Sequence, residues 1–351
     1  MLYSIQGYRG IAALLVVLFH GTLKIEYEYG ITPLFGIFKN GFSGVHLFFV
    51  LSGFIILTAH VKDIGNPSKL GWYFKRRLIR IYPIYWIVFF VLGGWKLVFR
   101  SMDLEAFFLN AFLFLPEAEQ VIQVSWTLLY EIIFYIFFAS LILNKKLGLV
   151  TIAAWFISIL LIWNSSSPVF LHYFNLLFIF GISAAVLRFK LIRFDSGISS
   201  SIAKTCVSLG VVLFLGTSIY YSSLNVSLTQ WPTHPVTIFG FGLASFLLVL
   251  GSASPGVEAF FRRHKIMSLL GNASYSIYLV HYWCLKAVFN LVRSLMERST
   301  GIVLNDEAGQ SLVVAGVLFV VIVVPSVWAG IWVHLKVEQP LLLFLRKKVL
   351  K

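Results

Sequence analysis

About ten stretches of this chain are apolar for long enough to cross a bilayer, and nothing else in the sequence limits its fold so strongly. They fall at roughly 7–23, 41–60, 81–99, 125–143, 147–163, 168–187, 205–222, 235–252, 270–292 and 311–335. Hydrocarbon offers no water to backbone N–H and C=O groups, so each segment of this length must satisfy its own hydrogen bonds as a helix. The expected fold class is all-α: a polytopic membrane helix bundle of about ten transmembrane helices. The run 104–115 is shorter and begins beside a carboxylate, so it reads as interfacial or re-entrant.

Composition agrees. Of 351 residues 59% are hydrophobic and 12% are charged, with a mean hydropathy of +0.88. That leaves too little polar surface for a soluble domain of this size. A net charge of +14 would raise nucleic acid as a partner of a soluble chain. In a membrane chain, Lys- and Arg-rich cytoplasmic loops account for it, and no nucleic acid is expected. With the N-terminus placed in the cytoplasm, almost all the basic surplus falls on inside segments, most densely at 61–80. Both termini are then cytoplasmic. Cys206 and Cys284 lie in apolar runs and read as packed, inert thiols rather than a disulfide. No small-residue cleavage site follows the first apolar run, so that run stays as a span. Neither an internal repeat nor a linker divides the chain. A single membrane domain over 1–351 is expected, multi-pass in the cell (inner) membrane.

Ionisable side chains inside spans are costly, about 2.5 kcal/mol or more for a central charge, and usually face a protein interior or a wet cavity. The stretch "RGIAALLVVLFH" carries Arg9 and His20. Eleven residues of helix separate them by about 16 Å and return to nearly the same face. An arginine at one end can hold an anion while a histidine further in does proton chemistry. The plainer alternative is a topology charge and a histidine that reaches for the outer interface. Glu131, in "SWTLLYEIIFY", lies six residues into a span that starts outside, at a depth where it can meet His20 and fix its tautomer. A structural ion pair is the alternative. Tyr275, Tyr278 and His281 step by three along one helix side and read as a cavity wall or as an interfacial aromatic cluster. Ser52 sits mid-span beside Gly53, where a small residue lets helices approach. His46 lies nearer the outer end and is expected to face water. In "FKRRLIRIYP", Arg77 and Arg80 are one helical turn apart, a spacing at which two guanidinium forks clamp a phosphate. Contact with anionic membrane lipids is the alternative. His20, His46 and His281 lie on different spans, and nothing in their spacing argues for a metal site.

Taken in order, these motifs resemble the acyltransferase-3 family of integral membrane acyltransferases. "RGIAALLVVLFH" is similar to its Arg-(ten residues)-His signature and "FFVLSGF" to its second-span motif. "RRLIRIYP" matches its Arg-x-x-Arg, "WTLLYEIIFY" its Trp/Glu span and "YSIYLVH" its Tyr-x-x-Tyr-Leu-x-His. "VEQP", at Val337–Pro340, resembles its C-terminal Glu-x-Pro. The resemblance runs across nearly the whole chain. It implies transfer of an acyl group, usually acetyl, from cytoplasmic acyl-CoA (acetyl-CoA) to a hydroxyl of a cell-envelope sugar or lipid-linked glycan, with no permanently bound cofactor. On that basis Arg9, Arg77 and Arg80 hold the donor. His20 is general base or covalent relay, and Glu131 orients it. Ser52, Trp126, Tyr275, Tyr278 and His281 line the acceptor side. A proton-coupled transporter or flippase of a glycan is the competing reading.

Overall fold

Helix α1 (Tyr3–Tyr29) has no capping side chain of its own at its start. Its first free N–H groups, those of Tyr3 and Ser4, donate instead to the carboxylate of Glu258, at 2.6 and 3.0 Å. The negative charge stands where the helix dipole favours it. Gly30, in the left-handed region at φ 67°, closes the other end with a hydrogen bond to the Glu26 carbonyl. The structure, a computed structural model, describes residues 2–99, 102–114, 120–163, 167–193, 200–224, 234–252, 254–300 and 312–349.

Twelve further α-helices follow α1 among these residues. They are α2 (Ser43–His60), α3 (Leu70–Val98), α4 (Leu104–Ala111), α5 (Trp126–Leu143), α6 (Lys145–Ile162) and α7 (Leu176–Arg193). Then come α8 (Ser200–Ser223), α9 (Pro235–Gly251), α10 (Pro255–Arg263), α11 (Lys265–Thr300), α12 (Leu312–Val333) and α13 (Gln339–Val349). The described residues contain no strand. Local chemistry sets several boundaries. Asn144 accepts from the Lys146 and Leu147 N–H groups to start α6, and Ser254 accepts from Val257 N–H ahead of Pro255 to start α10.

The molecule is a polytopic helical bundle. Eight described helices are long and apolar enough to cross a membrane, or nine if α9 and α10, bent by 91°, form one broken span. The sequence reading counts ten, and the difference is α11. That helix has ample length at 36 residues, but Asn272, Ser274, Tyr275, Ser276, Tyr278 and His281 lower its apolar average. It packs along α1 on one side and α12 on the other. The run 104–115 is not a span: α4 has eight residues, capped by Asp103, and lies beneath α3. Tyr85 and Trp86 donate to its Asn110 and Ala111 carbonyls at 2.6 and 2.9 Å. Residues 115–119 fall outside the described part.

Two glycine crossings bring helix axes close. At Gly53, in α2, an added Cβ would stand 2.2 Å from the Phe178 carbonyl oxygen of α7, and one at Gly181 would stand 1.9 Å from the Val50 oxygen. At Gly271, in α11, it would stand 2.0 Å from the Gln6 oxygen of α1. The second crossing seats the first turns of α1, with Arg9, directly against α11.

Candidate functional site

Arg9 is buried, 8% exposed, and its guanidinium donates to Gln6 Oε1 at 3.1 Å. It lines a narrow cavity of about 70 Å³ together with Ser52, Arg80, Glu131, Tyr275 and Tyr278. Six of the ten residues singled out in the sequence thus meet around one space, carried by α1, α2, α3, α5 and α11. Glu131 accepts from Ser52 Oγ at 3.1 Å and from the Tyr135 hydroxyl. None of its hydrogen bonds is to His20, so depth along the spans did not bring those two together. Glu131 and Glu338 both lie within electrostatic reach of Arg9. The cavity therefore holds two arginines and the Glu131 carboxylate without a direct ion pair among the described residues.

The partner of His20 is His281. The rings stand 5.0 Å apart by centroid, with His281 Nε2 3.2 Å from His20 Nδ1. Their protonation follows from the acceptors around them. Nδ1 of His281 faces the Tyr278 and Ile277 carbonyls at 2.7 and 3.2 Å, so it carries the proton and Nε2 offers a lone pair. Nδ1 of His20 faces that lone pair and the Val16 carbonyl, at 2.9 Å. Both are acceptors, so Nδ1 of His20 is also protonated. In neutral His20 the remaining lone pair is then on Nε2. His281 is fully buried and acts on His20 rather than standing on an open wall. Tyr278 links this pair to the Arg9 cavity: its ring is 5.8 Å from His281, and its hydroxyl bonds to Thr127 Oγ1 at 2.9 Å.

Arg77 and Arg80 are in one continuous helix, since α3 begins at Leu70 and runs through Pro83. Arg80 lines the Arg9 cavity and also a second, larger one of about 370 Å³. Trp72, Arg76, Arg77, Leu342 and Arg346 complete the second cavity. Arg77 is 7% exposed and donates to His60 Nε2 at 2.7 Å. Nε2 must therefore be unprotonated, and Nδ1 of His60 donates to Asp63 at 2.8 Å. The carboxylate thus steers the guanidinium through a histidine.

Trp126 lines neither of these two cavities; it packs on Tyr130 and Phe174 with centroids 5.6 and 5.7 Å away. His46, expected to face water, is 1% exposed inside a cage of Phe42, Phe174 and Phe241. Its outer-end position did not reveal that α9 covers it. Sequence reasoning passed over the His60–Asp63 relay and a buried cluster in which Ser276 and His334 both bond to Glu338 at 2.7 Å. The motif "VEQP" marks Glu338 but gives it no partner, although His334 and Glu338 are four apart, a readable same-face spacing. They sit in a π-helical turn, His334–Glu338, a geometry that concentrates at functional positions. Among the described residues no three of His, Cys, Asp and Glu stand close enough to share a metal ion.

Comparison with known proteins fits this geometry. The family model described as an acyltransferase domain matches residues 2–333. The exopolysaccharide production protein ExoZ of Rhizobium meliloti is 26% identical over 287 residues, covering 78% of this chain and 82% of that protein. "Protein 2 in picA locus" of Rhizobium radiobacter is 34% identical over 82 residues, 23% of this chain and 38% of its own length. No solved structure matches the chain. With the family model spanning nearly the whole helical bundle, the chain belongs to the acyltransferase-3 family and is a multi-pass membrane acyltransferase.

Proposed function

We propose that the protein moves an acetyl group from acetyl-CoA to a hydroxyl of an exopolysaccharide or of its lipid-linked precursor. The observation that carries this reading is the His20–His281 pair, which leaves the His20 Nε2 lone pair as the proton acceptor of the site. The polysaccharide acceptor is supported by the likeness to a protein of exopolysaccharide production. The donor is supported by the arginines. Arg77 and Arg80 border the larger cavity, Arg80 continues into the smaller one, and Arg9 stands inside it. Phosphates held at the first leave the thin pantetheine arm to extend through the second.

In this reading the acceptor oxygen attacks the thioester carbonyl, and His20 Nε2 takes the hydroxyl proton. The carbon–sulfur bond breaks as the new ester forms, and the departing thiolate takes that proton back. Arg9 and Tyr278 line the path. Glu131, tied to Ser52 and Tyr135, balances the charge of the arginines. The arginine end faces the cytoplasm of the cell (inner) membrane, where the donor is made.

Purified protein with radiolabelled acetyl-CoA tests the donor. The double variant Arg77→Ala/Arg80→Ala is expected to bind it about a hundredfold more weakly, from the loss of two charge-assisted contacts. If the wild type binds no coenzyme A, the acetyl-CoA donor falls and another activated acyl donor takes its place. His281 is a positioning residue here. His281→Ala is expected to lower kcat about 10–100-fold, by analogy with residues that orient metal-bound histidines, and to leave the donor KM unchanged. His281→Gln, whose carbonyl can still accept from His20 Nδ1, should recover much of the loss. Equal damage from both variants would reduce His281 to a packing role.

A further inference from the structure

The larger cavity is built by more than the Arg-x-x-Arg pair. Four guanidinium groups border it, those of Arg76, Arg77, Arg80 and Arg346. No ion pair joins any of the four to a carboxylate among the described residues. Asp63, which acts on Arg76 at a distance, is hydrogen-bonded to His60. Arg77 is buried, and its Nε finds no hydrogen-bond partner. Arg76 and Arg346 lie within repulsive reach of each other. Converging cations with a buried unsatisfied donor describe a site for a multiply charged anion.

Two of these features come from α13, which supplies Leu342 and Arg346 and lies beyond residues 2–333 matched by the family model. After the π-helical turn the chain returns along α3 and closes the cavity on that side. Across the cavity, Trp72 is stacked under the Arg76 guanidinium at 4.4 Å, with 39% of its surface exposed. A partly exposed indole among arginines suits a nucleobase.

We propose that α13 is part of the donor site, and that Arg346 with Arg76 reads the ribose 3′-phosphate of coenzyme A while Arg77 and Arg80 take its diphosphate. This rests on the donor reading above and extends it to discrimination. A diphosphate accounts for two guanidinium forks. A phosphate monoester adds roughly −1.5 to −2 of charge and accounts for the other two.

The test is calorimetric binding of coenzyme A and of 3′-dephospho-coenzyme A to the full-length protein in neutral phosphatidylcholine nanodiscs. The wild type is expected to prefer coenzyme A by tenfold or more. Arg346→Gln should lose most of that preference and bind the dephospho form as the wild type does, which also shows that the variant is folded. Lys348→Gln removes the same charge from the same helix away from the cavity and should keep the preference. Persistence of the full preference in Arg346→Gln overturns the proposal while leaving the donor reading intact. Absence of coenzyme A binding in the wild type overturns the donor reading itself. Repeating the titration with phosphatidylglycerol in the disc separates the other source of phosphate. If anionic lipid abolishes the Arg346-dependent preference, the cavity is a lipid headgroup site and the assignment fails.

Discussion

Replacing His20 with alanine is expected to reduce acyl transfer by about 10²–10⁴-fold, the usual contribution of a positioned general base. Donor binding should survive, because the cavities bordered by Arg9, Arg77 and Arg80 do not include His20. The loss should appear in kcat, since the proton moves only as the transition state forms. His20→Gln should be no better than alanine: an amide fills the space and bonds to Val16 or His281, but has no basic nitrogen. The assay is transfer of labelled acetyl to an isolated exopolysaccharide precursor, with donor binding measured on the same preparations. Full turnover in either variant would remove His20 from the chemistry.

The second large effect concerns the scaffold. Gly181→Val is expected to destabilise the bundle by about 3 kcal/mol or more, as overpacking against atoms that cannot move aside. The obstacle is the Val50 carbonyl, 1.9 Å from where a Cβ would start, and that carbonyl belongs to the backbone of α2. Gly53 meets α7 in the same way, so the two helices cannot separate at one point without losing the other. Thermal unfolding in detergent reads the effect directly. Gly216→Ala in α8, where nothing lies within 4 Å of the added carbon, serves as the control and should unfold near the wild-type temperature. Similar behaviour of the two variants would show that the α2–α7 crossing is looser than the geometry requires.

Much of this architecture was legible in the sequence because one rule, burial of apolar runs in lipid, acts on every span separately. Arg9 and His20 could be placed on one helix stripe, and Tyr275, Tyr278 and His281 on another, from period alone. Which stripe faces which was not legible. Depth put Glu131 opposite His20, yet rotation about the α5 axis turned it to Ser52 and Tyr135. The true partner, His281, lay in a segment read as wall. Apolar averaging also misjudged α11, since a helix enclosed by α1 and α12 need not be greasy all round. The His60–Asp63 relay and Arg346 were invisible for a related reason. Each acts only because a helix end folds back against α3, and a basic tail reads as topology charge until that return is known.

The capping of α1 by Glu258 bears on the order in which the protein is assembled. Chains emerge N-terminus first. The first helix therefore enters the membrane long before the carboxylate that completes its opening turn, or the helix that carries His281, has been synthesised. Until then Arg9 and His20 must wait in or near lipid without their final neighbours, and the early chain is under pressure to shield them. The closing of the bundle joins the first segment to those around α10 to α12, so it is one long-range event late in biogenesis. Chains that stop short of α11 would contain both signature residues of α1 and still have no site.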